Sequence, residues 1–178
     1  MMKKSEKADI LSIAIENKRL CTCSFTCSDK QSYFYPLAFS DKIIVVQIVE
    51  DFQINGYEII QFKHIKRISF ADNKYDEINE FAGIKNQIGM GEIDISCFCA
   101  FFESLKLLNK YVIIENEPDD LFIIGRIEKV LKSKLWIRGF DANGIWDEKV
   151  TEIPYSSITS VRWDDRYSST WQTYLERR

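Results

Sequence analysis

Residues 21–27 read CTCSFTC, three cysteines within seven positions, and Cys97 and Cys99 follow later in the chain. Thiols at that density are the raw material of a zinc site, a disulfide or a redox pair. The spacing argues against ligation. A Cys-x-Cys-x3-Cys run lacks the usual two-to-four-residue knuckle and the second pair that would match it. On a strand, side chains alternate, so Cys21, Cys23, Phe25 and Cys27 share one face and Thr22, Ser24 and Thr26 the other. Phe25 marks the cysteine face as core, where a free thiol behaves as a small hydrophobe. Packing is therefore expected, with no bound zinc and no cofactor. The alternative is a metal site completed by His64, Cys97 or Cys99.

The remaining chemistry-bearing residues are sparse. His64 is the only histidine, and with no fixed partner in view it reads as structural or solvated rather than catalytic. The chain has no nucleophile elbow, no Walker loop and no dinucleotide fingerprint. Glu115, Glu117, Asp119 and Asp120 crowd one polar stretch, ENEPDD, which reads as a solvated surface loop. No catalytic residue is assigned, and the chain is expected not to be an enzyme.

Aromatic residues offer a different chemistry. Tyr33, Phe34 and Tyr35 are consecutive, so a strand through them turns at least one to its other face; burial against the capping helix is expected, with an exposed contact ring as the alternative. Trp146 follows the turn residues DANG (141–144) and is expected to be the most exposed large aromatic. Asp141, Asn143 and Trp146, with Tyr33 and Tyr35, are thus candidate contacts for a protein partner. A possible nucleic-acid patch consists of Arg126, Lys132 and Lys134, one parity across a turn. The overall balance does not favour nucleic acid: 24 basic and 27 acidic residues give a formal charge of −3.

The elements that must position these residues come in a repeated order. IIQFKHIKRISFADNKYDEINEF (59–81) and EIPYSSITSVRWDDRYSSTWQTY (152–174) correspond at a shift of 93 residues. Ile60 meets Ile153, Phe62 meets Tyr155, Ile68 meets Val161, Phe70 meets Trp163, Ile78 meets Trp171 and Phe81 meets Tyr174. Upstream, Asn17-Lys18 falls on Asn109-Lys110 at a shift of 92, each pair ending a helix-like stretch. The first stretch carries Ile10 and Ile13 at helical spacing; the second carries Phe98, Phe101, Phe102, Leu105 and Leu108. Two copies of one unit are expected, 1–88 and 92–178, divided near Gly83, Gly89 and Gly91.

Each copy reads as helix, five strands, helix. In the second copy the strands fall at 111–115, 121–130, 134–140, 151–154 and 158–163. Asp164 or Asp165 then caps a helix over 166–175. In the first copy they fall at 20–26, 32–39, 42–50, 57–61 and 65–70, with a helix near 74–81. Five short antiparallel strands in so short a span bury a core by curling into a small barrel. The expected fold is mainly β with flanking helices, two tandem five-stranded barrels of Sm-like or SH3-like form.

On these residues the chain resembles the Sm-like small-barrel fold, and 122–163 is similar to uncharacterised bacterial proteins with one or two such barrels. Phe122-x-x-Gly125-x-Ile127 matches the glycine-centred start of the family's first motif. Leu131 and Leu135 stand where that motif has its acidic residue and its asparagine. Ile137-Arg138-Gly139 mimics the second motif but lies on another strand. The resemblance implies RNA binding, yet the residues that hold RNA bases do not carry over.

The function expected is therefore a non-enzymatic interaction or scaffold module that binds a protein partner or a second copy of itself, with RNA binding as the alternative. No apolar run approaches the roughly 20 residues of a membrane span. The five cysteines, with no secretory signal, fit a reducing, cytoplasmic setting.

Overall fold

Strand-forming runs rich in Ile, Val and Phe, broken by turn residues, set the elements. The computed structural model describes residues 2–26 and 31–177. Over them the chain is mainly β, with ten strands and four α-helices. It divides into two compact units, Met1–Met90 and Gly91–Arg178.

The first unit begins with α1 (Lys4–Glu16) and continues through β1 (Cys21–Phe25), β2 (Gln31–Phe39), β3 (Ile43–Glu50), β4 (Gln53–Gln61) and β5 (Ile65–Phe70) to α2 (Tyr75–Phe81). Its strands lie in the order β5-β1-β2-β3-β4, so the first strand is held between the second and the last. The second unit has α3 (Phe98–Leu107), β6 (Tyr111–Asn116), β7 (Leu121–Val130), β8 (Lys134–Gly139), β9 (Thr151–Pro154), β10 (Ser160–Trp163) and α4 (Arg166–Leu175). Its order is β10-β6-β7-β8-β9. In both, a 3-10 turn, Phe62–His64 or Tyr155–Ser157, precedes the last strand. Among the described residues no ladder joins β4 to β5 or β9 to β10, so strand pairing alone does not close either set into a barrel.

Ladder registers refine the internal correspondence. Cys21 lies opposite Phe34 and Phe70, and Val112 lies opposite Gly125 and Trp163. By register Val112 therefore holds the place of Cys21, and Ile114 that of Cys23. Across the helix and first three strands the offset is 91 residues, and across the last two it is 93. The helix ends agree with 91. Arg19 N–H reaches the Ala14 carbonyl at 2.9 Å, and Lys110 N–H reaches that of Leu105 at 3.0 Å. Lys18 and Asn109 take the left-handed conformation there, φ 44° and 52°. The Asn-Lys match at 92 is off by one from this structural offset.

α1 buries another face than spacing suggested, whereas α3 buries the expected one. In α1 the buried stripe is Lys7, Leu11 and Ala14, and Ile13 is exposed. Lys7 donates its ammonium to the Ile65 carbonyl on β5, and burial pushes its pKa down. In α3 Phe101, Phe102 and Leu105 are buried, while Leu108 lies just past the helix end, exposed. Phe101 meets Trp163 at 5.3 Å, and Phe98 and Phe102 each stack on Tyr155 at 5.5 Å. Burying one such side chain stabilises by about 1.5–3 kcal/mol. Of the two candidate caps, Asp165 caps α4, accepting from Ser168 N–H at 2.9 Å.

The acidic stretch is also less uniform than expected. Glu115 belongs to β6, where it accepts from Ser160 Oγ at 2.7 Å and pairs with Arg162 at 3.1 Å. Asp119 accepts from Asn116. Glu117, Asp119 and Asp120 remain exposed on a 3-10 turn.

Gly125 sits mid-strand opposite Gly139, and a Cβ there would lie 2.0 Å from the Arg138 carbonyl oxygen. Because the obstacle is backbone, Gly125→Ala is expected to destabilise the second unit by about 1–3 kcal/mol. All four tryptophans lie in that unit, so a urea titration followed by tryptophan fluorescence reads the change; an unshifted midpoint contradicts it.

Candidate interaction surface

The connection from β8 to β9 is built around Asp141. Its Oδ1 accepts from the amides of Asn143 and Ile145, both at 2.9 Å, and Oδ2 takes the Asn143 side-chain amide at 3.2 Å. The Gly144 N–H bonds the Asp141 carbonyl at 2.9 Å, closing the turn. Gly144 needs its positive φ of 71°, and a Cβ there would press on Trp171 at 3.1 Å and Leu175 at 3.2 Å. The turn therefore lies directly on α4. The Ile145 amide, then Asn143, holds the Asp141 carboxyl below the ordinary aspartate range.

Rings continue from that turn in an unbroken series. Trp146 meets Phe140 at 5.4 Å and Tyr111 at 5.7 Å, and Phe140 meets Trp171 at 5.0 Å. Trp171 then meets Tyr174 at 5.9 Å and Tyr167 at 6.5 Å. The inner members are buried or half-buried, whereas Ile145, Tyr167 and Tyr174 are exposed. The outer edge of α4 is thus an aromatic ridge whose rings are pinned from behind.

The sequence candidates fall unevenly around it. Trp146 is half-buried rather than exposed, with the Arg126 guanidinium 5.0 Å from its ring. Asp141 and Asn143 are exposed, but their polar atoms are engaged in the turn. Sequence reasoning missed Ile145, Tyr167, Trp171 and Tyr174. The signal was available in the i, i+4, i+7 spacing of the last three, although spacing does not reveal whether a helix face is covered.

The first unit corrects the reading of Tyr35. Phe34 and Tyr35 are both fully buried, because the two faces of β2 are covered by separate apolar clusters. The Tyr35 hydroxyl donates to Asp76 at 2.8 Å and accepts from Asn79 at 3.1 Å, fastening α2 to the sheet. Burial pushes that phenol well above its usual range. Tyr35 is therefore no surface anchor. Tyr33 is half-buried and meets the exposed Tyr75 edge-on at 6.0 Å; Tyr75 in turn meets Phe52 at 6.0 Å.

The basic residues do not gather into a bare patch. Arg126 pairs with Glu128 at 2.9 Å, and Lys134 with Glu152 at 2.7 Å. Glu128 sits at the β7 bulge, where Arg138 also reaches it at 2.9 Å. Burial pulls the Glu128 pKa up, but the two guanidiniums outweigh it and hold it low. Lys132 stands exposed in the turn. Arg126 lies opposite Arg138, four residues and roughly 13 Å along the strand from Lys134.

Cys21 and Cys23 are buried in the core of the first unit with Phe25 packed beside them. Burial drives both thiols up to about 12. Cys27 lies outside the described residues. Cys97 is exposed at the start of α3 and Cys99 is half-buried. No group of three or more His, Cys, Asp or Glu side chains among the described residues is arranged to hold a metal. His64 is half-buried on the 3-10 turn before β5. No helix among the described residues is long and apolar enough to cross a membrane.

No family model, no curated protein and no solved structure matches the chain.

Two outcomes follow from this chemistry. Iodoacetamide at pH 8 is expected to label Cys97 in the folded protein and to reach Cys21 and Cys23 only in urea. Peptide mass mapping checks this, and native labelling of Cys21 at the rate of Cys97 contradicts it. For Asp141 the folded pKa lies below the unfolded one, so the turn's stabilisation is present above about pH 4 and lost as pH falls through the folded value. The backbone amide signals of Asn143 and Ile145 are expected to titrate with a midpoint below about 3.9. A midpoint at or above that value refutes the assignment.

Proposed function

We propose that this chain is a non-enzymatic interaction protein built from two copies of one Sm-like small-barrel module, and that it binds a protein partner. The observation that carries the binding half is the ridge of Ile145, Tyr167, Trp171 and Tyr174 on and beside α4. Its rings are exposed at the rim, braced from below by Phe140 and Trp146, and fixed by a hydrogen-bonded turn. Rigid aromatic side chains of this kind supply large contact area at small entropic cost, which is what protein interfaces select. The copy half is supported by identical strand order, the matching 3-10 turns and the constant 91-residue offset from helix to third strand.

Residues with catalytic potential are engaged in architecture: Asp141 in its turn, Glu115 with Arg162, Asp76 under Tyr35. Thiols packed in the core accord with a reducing, cytoplasmic setting.

The test is affinity capture on the full chain from native cell extract, with and without nuclease, repeated with Tyr167→Ser/Tyr174→Ser. The expected result is protein recovered after nuclease treatment and reduced about tenfold by the double substitution. Recovery of RNA, with proteins lost on nuclease treatment, overturns the reading in favour of RNA binding.

A further inference from the structure

The C-terminal helix of the first unit carries its own outward face. Tyr75, Ile78 and Phe81 recur at i, i+3 and i+6 along α2, and they are 50%, 39% and 94% exposed. Phe52 joins them from the β3–β4 hairpin, 41% exposed, with its ring edge-on to Tyr75. The hairpin loop is only Asp51 and Phe52, both left-handed, φ 48° and 58°. Glycine and asparagine suit such positions, and phenylalanine does not. A large apolar ring is therefore presented to solvent at a backbone site that disfavours it, next to a helix that presents two more rings and an isoleucine.

The surroundings of this face are acidic. Residues 50–52 and 72–81 contain Glu50, Asp51, Asp72, Asp76, Glu77 and Glu80, against Lys74 as the one base. Lys74 pairs with Glu77, and Lys85 reaches across to Asp76 and Glu80. Among the described residues Asp51 and Asp72 form no ion pair. Anionic phosphate backbones and anionic lipid surfaces are repelled by such a rim.

We propose that α2 and the Phe52 hairpin tip form a docking surface for a basic amphipathic helical segment of another protein. From Tyr75 to Phe81 the stripe runs roughly 9 Å, the length over which a partner helix sets out apolar residues at i, i+3 or i+4, and i+7. Lysines or arginines flanking that stripe would meet Asp51, Asp72, Glu77 and Glu80. The proposal rests on the protein-binding reading above and adds a second surface with a stated partner chemistry.

The probe is a fluorescein-labelled Lys/Leu peptide with leucines at i, i+3, i+4 and i+7, titrated with the full chain by fluorescence anisotropy. A peptide of the same composition in scrambled order serves as its comparison. Saturable binding of the amphipathic peptide is expected, weakened about tenfold by Phe81→Ser, by Glu77→Lys/Glu80→Lys and by raised salt. Tyr174→Ser is expected to leave it unchanged. The Phe81 side chain is almost wholly in solvent, so its loss leaves the core intact.

Equal binding of the scrambled peptide, no binding at all, or insensitivity to Phe81→Ser and the charge reversal each overturns the proposal. So does concentration-dependent self-association abolished by Phe81→Ser in sedimentation velocity, which assigns the face to a second copy. If the peptide fails while captured protein still depends on Tyr167 and Tyr174, this inference alone falls and the α4 surface stands.

Discussion

Both units depend on pairing the first strand with the last. β1 is bonded on one side to its neighbour in sequence, β2, and on the other to β5, more than forty residues further along. β6 stands in the same relation to β7 and β10. Closing so long a loop costs chain entropy before any contact compensates it. The compensation comes from what the closing strands bury. Cys21 and Cys23 face Phe70 and Ile68 in the first unit, and Val112 and Ile114 face Trp163 and Val161 in the second. A small side chain on the central strand, Cys21 or Val112, lies opposite the large ring of Phe70 or Trp163 on the last. That explains why cysteine serves where valine and isoleucine serve in the other unit, and why Cys21 and Cys23 are packing material.

The same constraint fixes the helices. A left-handed residue at Lys18 or Asn109 ends each one, so the chain turns straight into the central strand. The helix then lies over the strands just entered. The first unit fills the contact with Leu11 and Ala14 and lets Lys7 satisfy a carbonyl of β5; the second fills it with Phe101, Phe102 and Leu105. One geometry thus accepts a lysine stem or a phenylalanine at corresponding places, because only apolar carbon need face the sheet.

Strand positions were legible because apolar runs and turn residues alternate at short range, a local signal. The β7 and α4 bounds and the turn at Asp141 follow from it directly. Faces were less legible. Three aromatics in a row must use both sides of a strand, which leaves Tyr35 either covered by a helix or exposed as a contact. What covers its second side is α2 through Asp76 and Asn79, residues forty or more positions away. Trp146 looked exposed beside a turn glycine, but α4 folds back over that turn, and Gly144 is there to let it approach. The ion pairing of Arg126 and Lys134 was illegible for a third reason. Parity on a hairpin says nothing of carboxylates arriving from a bulge or a neighbouring strand, and Glu128 and Glu152 arrive in those two ways. In each case the deciding partner is distant in sequence, where periodicity carries no information.

The connection between the third and fourth strands shows what folding requires and what it does not. In the second unit it is a long return stabilised by Asp141, with a glycine at its left-handed position. In the first it is a two-residue hairpin with Asp51 and Phe52 at both left-handed positions. A left-handed residue bearing a side chain costs about 1–2 kcal/mol. The single edge-on contact of Phe52 with Tyr75 returns about 0.5–1.5 kcal/mol at best, less at a solvent-exposed site. Glycine or asparagine at position 52 would keep the register and remove the strain. Phenylalanine there does not serve the hairpin's own stability; its ring adds apolar area to a surface that already holds Tyr75, Ile78 and Phe81 in water. Strain retained where a ring is displayed fits a surface shaped for contact rather than for solubility.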